Sequence, residues 1–134
     1  MLLTKASEYA LLSLAVIAKS DKPVDASTIA EQLGIPKSFL AKILQNLAKS
    51  DILRSYKGIN GGFELTHPLS SITIMSVIKA VEEKPANVFE CSGNAADCPS
   101  DRAFSCHIWP FLYRLQCKVD RFLEGVTLDE LLGE

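Results

Sequence analysis

Three cysteines that lie close together in the second half of the chain are the residues most able to do chemistry. Cys91, Cys98 and Cys106 fall within the stretch ECSGNAADCPSDRAFSCH, which begins at Glu90. Glycine, proline and aspartate residues interrupt any helical or strand period there, so we expect an irregular loop. Cysteines that only fill a core usually lie in apolar elements. Three thiols in one polar loop therefore indicate metal ligands or redox-active groups.

The spacing of the three thiols leaves several chemistries open. Six residues separate the first pair and seven the second, so the loop lacks the close Cys-x2-Cys pairs that are typical of structural zinc. Iron–sulfur clusters are also held by thiolates and tolerate looser spacing. At this point an iron–sulfur cluster, a zinc site, a cluster-free thiol switch and inert cysteines are all open.

A fourth ligand for such a site has three candidates. Cys117 lies on the element that follows and is hard to bring back to the loop, so we interpret it as an ordinary thiol. His107 is adjacent to Cys106, and the side chains of neighbouring residues diverge. Glu8 is an acidic side chain at the edge of an otherwise apolar helix, where it could also be a simple first-turn carboxylate.

Charge is distributed unevenly along the 134 residues. Residues 1–60 hold eight Lys and Arg against five Asp and Glu, whereas residues 61–134 hold six against eleven. A basic first half suits a partner that carries phosphates. No run of eighteen apolar residues and no signal peptide is evident, so we expect a cytoplasmic protein without a membrane span. A reducing compartment favours metal or redox roles for its four cysteines.

The first half of the chain has the pattern of a helix-turn-helix. Helices are predicted at residues 6–19, from Asp25 to Gly34, and from Pro36, at a first helical position, to about Lys49. On the third helix the apolar stripe is formed by Leu40, Ile43, Leu44 and Leu47. The opposite side carries Ser38, Ala41, Lys42, Gln45 and Lys49. Such a face either contacts base edges and phosphates in a major groove or is merely solvated.

A β-hairpin is predicted directly after the third helix. Residues 52–56 and 62–66 alternate as strands do, and the turn between them contains Asn60-Gly61. Arg54 and Lys57 bring cations towards its tip. Residues 26–66 therefore indicate a winged helix, in which the wing reaches backbone phosphates or the minor groove.

Two further helices are predicted in the second half. The fourth runs from Ser70 to Lys84, with Ser71 or Thr73 as its cap, and the last begins near 107–110. The apolar residues of the last helix follow steps of four and three; they are Ile108, Leu112, Leu115, Val119, Phe122 and Val126. This spacing is typical of a coiled-coil seam between two subunits, and the alternative is packing against the chain's own domain. A two-fold dimer would suit a palindromic operator.

The predicted fold is mainly α with a small β-hairpin wing. Three regions are expected: a winged helix-turn-helix DNA-binding domain at 1–84, a cysteine-bearing loop at 85–107, and a dimerisation helix with a tail at 108–134. An enzyme is not expected, because His67 and His107 have no evident nucleophile or carboxylate around them and no phosphate-cradling glycine loop occurs.

Four stretches of the chain resemble a known family. MLLTKASEYAL, RSYKGINGGFEL, SITIMSVIKAVE and FLEGVTLDELL are similar to the Rrf-type winged-helix transcription regulators, over essentially residues 1–132. The family includes an iron–sulfur cluster regulator and a nitric-oxide sensor. The resemblance implies a homodimeric DNA-binding regulator, expected to be a repressor, whose [2Fe–2S] or [4Fe–4S] cluster senses redox state, nitric oxide or iron–sulfur status.

The resemblance also implies roles for individual residues. Cys91, Cys98 and Cys106 would be cluster ligands, and Glu8 stands where the nitric-oxide sensor has an acidic ligand supplied by the partner subunit. Trp109 stands where the cluster regulator has a ligand histidine. On the DNA-binding side, Ser38, Ala41 and Lys42 would lie on the recognition helix and Lys57 on the wing. Our hypothesis is that the cluster braces the loop against the other subunit, and so sets the separation of the two recognition helices.

Overall fold

The computed structural model describes residues 3–83, 87–89, 92–98 and 105–133. Helices alternate with one hairpin, in the order α1 (Lys5–Ala18), α2 (Ala26–Leu33), α3 (Lys37–Lys49), β1 (Leu53–Tyr56), β2 (Gly62–Leu65), α4 (Ile74–Val81), α5 (Trp109–Gly125) and α6 (Leu128–Leu132). Short 3-10 turns occur at Leu69–Ser71 and Ala95–Asp97. The prediction of a mainly α fold with a small hairpin is confirmed. Among the described helices, none is long and apolar enough to cross a membrane.

Local backbone and side-chain contacts explain where α2 begins and ends and where α3 begins. The Asp25 carboxylate accepts a hydrogen bond of 2.7 Å from the Thr28 amide and so opens α2. Gly34 then ends α2 in the left-handed conformation, with φ of 68°. Pro36 has an extended ψ of 128° and precedes α3 rather than beginning it, so its predicted position is wrong by one residue.

The hairpin is joined to the connection between α1 and α2. β1 and β2 are antiparallel, with Leu53 opposite Leu65 and Tyr56 opposite Gly62. Val24 pairs with Phe63 on the outer edge of β2, through backbone hydrogen bonds of 3.0 and 2.8 Å. Gly62 has a φ of 144°, and a Cβ atom there would lie 2.5 Å from the Val24 carbonyl carbon. Only glycine allows this approach, which holds the wing against the helical part.

A single apolar core lies between α1, α3 and α4. The predicted inward stripe of α3 is confirmed, since Leu40, Leu44 and Leu47 are fully buried. The same core includes Leu123 of α5 and Leu128 of α6. Each large aliphatic side chain that is fully buried contributes about 1.5–3 kcal/mol, so this stripe determines how α3 is rotated.

The fourth helix is shorter than the sequence predicts. Residues 69–71 form a 3-10 turn, and α4 begins after Thr73, whose hydroxyl oxygen accepts a hydrogen bond of 3.1 Å from the Ser76 amide. The backbone on either side of Thr73 pairs with the α5–α6 connection. Ile74 N donates to Val126 O at 2.9 Å, and Leu128 N donates to Ile72 O at 2.9 Å. These pairings prevent a helix from starting at Ser70.

The last long helix has two apolar faces rather than one seam. Leu112 and Leu123 are buried, and Val119 packs against the core. Ile108 and Phe122 are 60% and 69% exposed. The prediction of a single intersubunit seam is therefore wrong for Leu112, Val119 and Val126, because Leu112 is buried within the chain and the two valines pack against its core.

The Glu82 carboxylate links the end of α4 to the first turn of α1. Its Oε1 atom accepts hydrogen bonds from Thr4 N at 3.3 Å, from Thr4 Oγ1 and from Ser7 Oγ. Partial burial opposes ionisation of Glu82, but the hydrogen bonds from Ser7 and Thr4 outweigh this effect and lower its pKa.

We expect Glu82→Gln to destabilise the protein at neutral pH by about 1 kcal/mol, because charge-assisted hydrogen bonds are replaced by neutral ones. The pKa of Glu82 in the folded protein is lower than the ordinary value of 4.5. Its stabilising effect is therefore fully present above that pH and is lost as the pH falls through the folded-state pKa. Urea unfolding of the two proteins at several pH values measures the difference, and Glu31→Gln, at an exposed position of α2, is the matched control. A difference that did not change with pH would contradict this role.

Candidate nucleic-acid interface and cysteine segment

The outer face of α3 is polar and accessible. Ser38, Lys42 and Gln45 are exposed and Ala41 is half-buried. They lie opposite the buried stripe because a helix that buries one face presents the other to solvent. This face combines a hydroxyl, an ammonium and an amide, which are groups that bind base edges and phosphates.

The wing presents a second set of cations. Arg54 is exposed on β1, and its Nη1 atom lies 3.4 Å from Tyr56 Oη. The Tyr56 hydroxyl in turn donates a hydrogen bond of 2.9 Å to Glu64 Oε1. The contact with Tyr56 raises the pKa of Arg54, so this side chain remains cationic. Lys57 is exposed at the start of the turn, and Ile59 is fully exposed at its tip.

A series of side-chain contacts connects Glu8 of α1 with α3. Glu8 Oε2 lies 3.1 Å from Lys5 Nζ, and about half of the Glu8 side chain is exposed. Lys5 Nζ lies 5.8 Å from the centre of the Tyr9 ring, which meets Phe39 of α3 edge to face at 5.6 Å. Sequence analysis did not identify Phe39; the signal that could have found it is an aromatic residue beside Ser38 that falls outside the buried stripe.

Lys42 of α3 has an acidic neighbour that follows α4. Lys42 Nζ lies 3.6 Å from Glu83 Oε1, and both side chains are largely exposed. The two residues are far apart in sequence, so only the packing of α3 against α4 brings them together. Glu83 therefore reduces the positive charge of the α3 face close to the start of the cysteine segment.

The described cysteines are thiols without a disulfide bond. Cys98 follows the 3-10 turn at Ala95–Asp97 and is half-buried, and Cys106 is half-buried just before α5. Cys117 is exposed on α5, and Cys91 lies outside the described residues. Over the described ranges, no group of three or more Cys, His, Asp or Glu side chains is placed to hold a metal ion.

A buried glutamine joins the cysteine segment to α5. Gln116 Oε1 accepts hydrogen bonds of 2.7 Å from both Val88 N and Ser92 Oγ. Gln116 Nε2 donates a hydrogen bond of 2.7 Å to Asp120 Oδ1. Gln116 is 3% exposed and Ser92 is completely buried. Sequence analysis missed Gln116; the one available signal is a polar residue on the otherwise apolar face that contains Leu112 and Leu123.

Comparison with known proteins identifies the family of this chain. The Rrf2 profile, described as an iron-dependent transcriptional regulator, matches residues 3–134. The HTH-type transcriptional regulator IscR of Photobacterium profundum is 31% identical over 137 residues, covering 100% of this chain and 77% of that protein. The chain belongs to the Rrf2 family. Protein aau3 of Rhizobium meliloti is 33% identical over 134 residues, covering 98% of the chain and 85% of that protein.

Solved structures agree with the winged-helix fold. CymR of Bacillus subtilis, named a global cysteine regulator, superposes with a TM-score of 0.73 at 22% identity, over 99% of this chain and 97% of that one. IscR of T. potens superposes with a TM-score of 0.74 at 17% identity, over 99% and 87% of the two chains. The comparisons confirm the Rrf-type resemblance, and they confirm that the Rrf2 chain is a transcription regulator rather than an enzyme.

We expect Glu83→Gln to strengthen binding of a random-sequence DNA duplex, because the carboxylate no longer competes with phosphate for Lys42. An exposed ion pair of this kind contributes up to about 1 kcal/mol, so the gain should not exceed about fivefold. Fluorescence anisotropy at several salt concentrations measures it. The same substitution in a Lys42→Gln background should have no effect. An equal gain in both backgrounds would show that Glu83 acts through the overall charge and not through Lys42.

Proposed function

We propose that this Rrf2 protein is a cytoplasmic homodimeric regulator, a repressor, whose operator binding is controlled by an iron–sulfur cluster. The observation that carries the proposal is the polar segment with Cys91, Cys98 and Cys106, between a winged helix and α5. Relatives named IscR and a family described as iron-dependent support the choice of metal chemistry. The regions 1–84, 85–107 and 108–134 would serve DNA binding, sensing and dimerisation.

The DNA-binding part of the proposal uses two elements. Ser38, Ala41, Lys42 and Gln45 on α3 would face the major groove, and Arg54 and Lys57 on the wing would contact backbone phosphates or the minor groove. The exposed positions of Ser38, Lys42 and Lys57 support this arrangement. Bases are distinguished in the major groove, whereas phosphate contacts set position and affinity.

The dimer part of the proposal uses the outer face of α5. Ile108, Phe111 and Phe122 are each more than half exposed, and Leu115 lies between them at helical spacing. An apolar stripe along one helix is a face that a second copy can cover with its own. A two-fold dimer places two α3 helices at half-sites of a palindromic operator, separated by about 34–36 Å.

The donor set of the segment suits a [2Fe–2S] or [4Fe–4S] cluster. Cys98 and Cys106 are half-buried cysteines, and thiolate sulfur is the ligand that such clusters take. Glu8 of the partner subunit would provide the fourth ligand. Its exposed carboxylate and its single-turn contact with Lys5 leave it accessible at the surface. A bound cluster would supply a rigid cross-link between the segment and α1 of the other subunit.

The chain's own contacts would pass this constraint to the DNA-binding face. Glu8 and Lys5 lie on the first turns of α1, and Tyr9 on the same helix contacts Phe39 of α3. Holding α1 of one subunit against the segment of the other therefore holds the two α3 helices at a defined separation. Without that link each helix-turn-helix can move relative to its twin, and operator affinity falls.

A cluster-free thiol regulator of the same fold is the second candidate, and a zinc site is a variant of it. CymR, which is named a global cysteine regulator, has the same fold, so the fold is compatible with this alternative. The thiols of Cys98 and Cys106 would then be the responsive groups.

We expect protein purified without oxygen to contain iron and sulfide, and to bind an operator selected from a random duplex pool more tightly than the cluster-free protein does. Elemental analysis, visible absorption and fluorescence anisotropy measure the three properties. Replacement of Cys91, Cys98 or Cys106 by serine should abolish the visible absorption, and Cys117→Ser is the matched control. Equal operator affinity with and without the cluster would refute the proposed coupling.

The fourth ligand is tested in the same preparation. Glu8→Ala should change the visible spectrum and accelerate cluster loss in air, because one coordination position then opens to solvent. Glu31→Ala, which removes an exposed carboxylate from α2, is the control. Unchanged spectra and oxygen tolerance would remove Glu8 from the ligand set without affecting the three cysteines.

We expect Phe122→Glu to convert a dimer into a monomer, because two carboxylates would meet at the exposed stripe of α5. Sedimentation velocity measures the mass, and Arg121→Glu, at an exposed position next to it, controls for the added charge. A Phe122→Glu protein that remained dimeric at micromolar concentration would exclude this face as the interface.

A further inference from the structure

Gln116 occupies a position where an apolar residue would be expected. It lies on the face of α5 that contains the buried Leu112 and Leu123, and it is itself 3% exposed. Burial of an amide is unfavourable unless its hydrogen bonds are made. Every buried side-chain nitrogen or oxygen atom in the described part of the chain has a partner, and those of Gln116 include two groups of the cysteine segment.

Two hydrogen bonds join Phe89 and Ser92 where Gln116 contacts the segment. Ser92 N donates to Phe89 O at 3.0 Å, and Phe89 N donates to Ser92 Oγ at 3.2 Å. Ser92 Oγ also lies 2.7 Å from Gln116 Oε1. In sequence, Cys91 is the residue immediately before Ser92. Ser92, which follows the first cysteine, is therefore attached to α5 through its side chain.

The orientation of the Gln116 amide is determined by a third residue. Gln116 Nε2 donates to Asp120 Oδ1 at 2.7 Å, one turn further along α5. This contact directs the amide nitrogen towards Asp120 and leaves Oε1 to accept from Val88 N and Ser92 Oγ. A leucine or methionine at this position would leave Val88 N without that acceptor, and an unsatisfied buried donor costs about 1–3 kcal/mol. The Ser92 hydroxyl could still donate to Phe89 O, which lies 2.8 Å away, but it would no longer be attached to α5.

We propose that Gln116, oriented by Asp120, is a positioning residue that holds Val88 and Ser92 of the cysteine segment on α5 before iron binds. The inference rests on the proposed function in one respect, namely that Cys91 is a ligand. Partners that orient metal ligands typically change metal affinity by about 10–100-fold when they are removed. Gln116 also joins the site to the helix whose outer face we assign to the dimer.

Two variants separate positioning from general stability. Gln116→Met keeps the length of the side chain and removes its polar atoms. The double variant Gln116→Glu with Asp120→Asn reverses the donor and acceptor between the two positions. A glutamate at 116 can still accept from Val88 N and Ser92 Oγ, and an asparagine at 120 can donate to it. Thermal unfolding of each protein verifies that it is folded. If Gln116→Met does not fold, Asp120→Asn alone is the milder variant to use.

Two measurements test the inference. In the reconstituted protein, Gln116→Met should lose iron to a chelator about tenfold faster than the wild type. In metal-free protein, mass spectrometry should show faster alkylation of Cys91 in Gln116→Met, whereas alkylation of Cys117, exposed on the same helix, stays unchanged. The double variant should restore both rates.

The outcomes distinguish the cluster proposal from the positioning role of Gln116. A wild-type protein without iron and sulfide would overturn the cluster proposal, and the alkylation of metal-free protein would still decide the role of Gln116. If Cys91 of metal-free Gln116→Met reacted at the wild-type rate, the positioning role would be overturned. It would also be overturned if the double variant behaved like Gln116→Met, because the effect would then not depend on these hydrogen bonds.

Discussion

The hydrogen bonds from Val88 and Ser92 to the buried amide of Gln116 are the interaction on which the geometry of the cysteine segment depends. Among its described residues the segment has no α-helix and no strand, so regular backbone pairing does not position it. Its donors must therefore find acceptors on a neighbouring element, and α5 supplies one. Because α5 also packs into the main core through Leu123, the segment is attached to the rigid part of the molecule.

The same core determines what the DNA-binding face can do. Burial of Leu40, Leu44 and Leu47 rotates α3 so that Ser38, Lys42 and Gln45 are exposed. α4 contacts both α1 and α3, and its end places Glu82 on the first turn of α1 and Glu83 beside Lys42. The end of α4 thus contacts both the first turn of α1 and the exposed face of α3.

Much of the fold could be predicted because it depends on local periodicity. The alternation of residues 52–56 and 62–66 and the Asn60-Gly61 pair predicted the hairpin, and Asp25 and Gly34 predicted both ends of α2. α4 was predicted too long, since the pairing of residues around Thr73 with the α5–α6 connection is a contact between distant parts of the chain. For α5 the steps of four and three were recognised, but periodicity does not show which face meets the core and which meets solvent.

The sequence by itself determined which residue types are available: three thiols in one polar segment, a polar face on α3 and cations on the wing. These are properties of composition and of spacing within single elements. Only the tertiary structure decided that Gln116 binds a segment 28 residues away, that Glu82 reaches Ser7 across 75 residues, and that Leu112 faces inward while Phe122 faces out. The physical reason is that a buried polar group takes whichever partner the packing of the helices brings within about 3 Å, and that packing is a property of the whole chain.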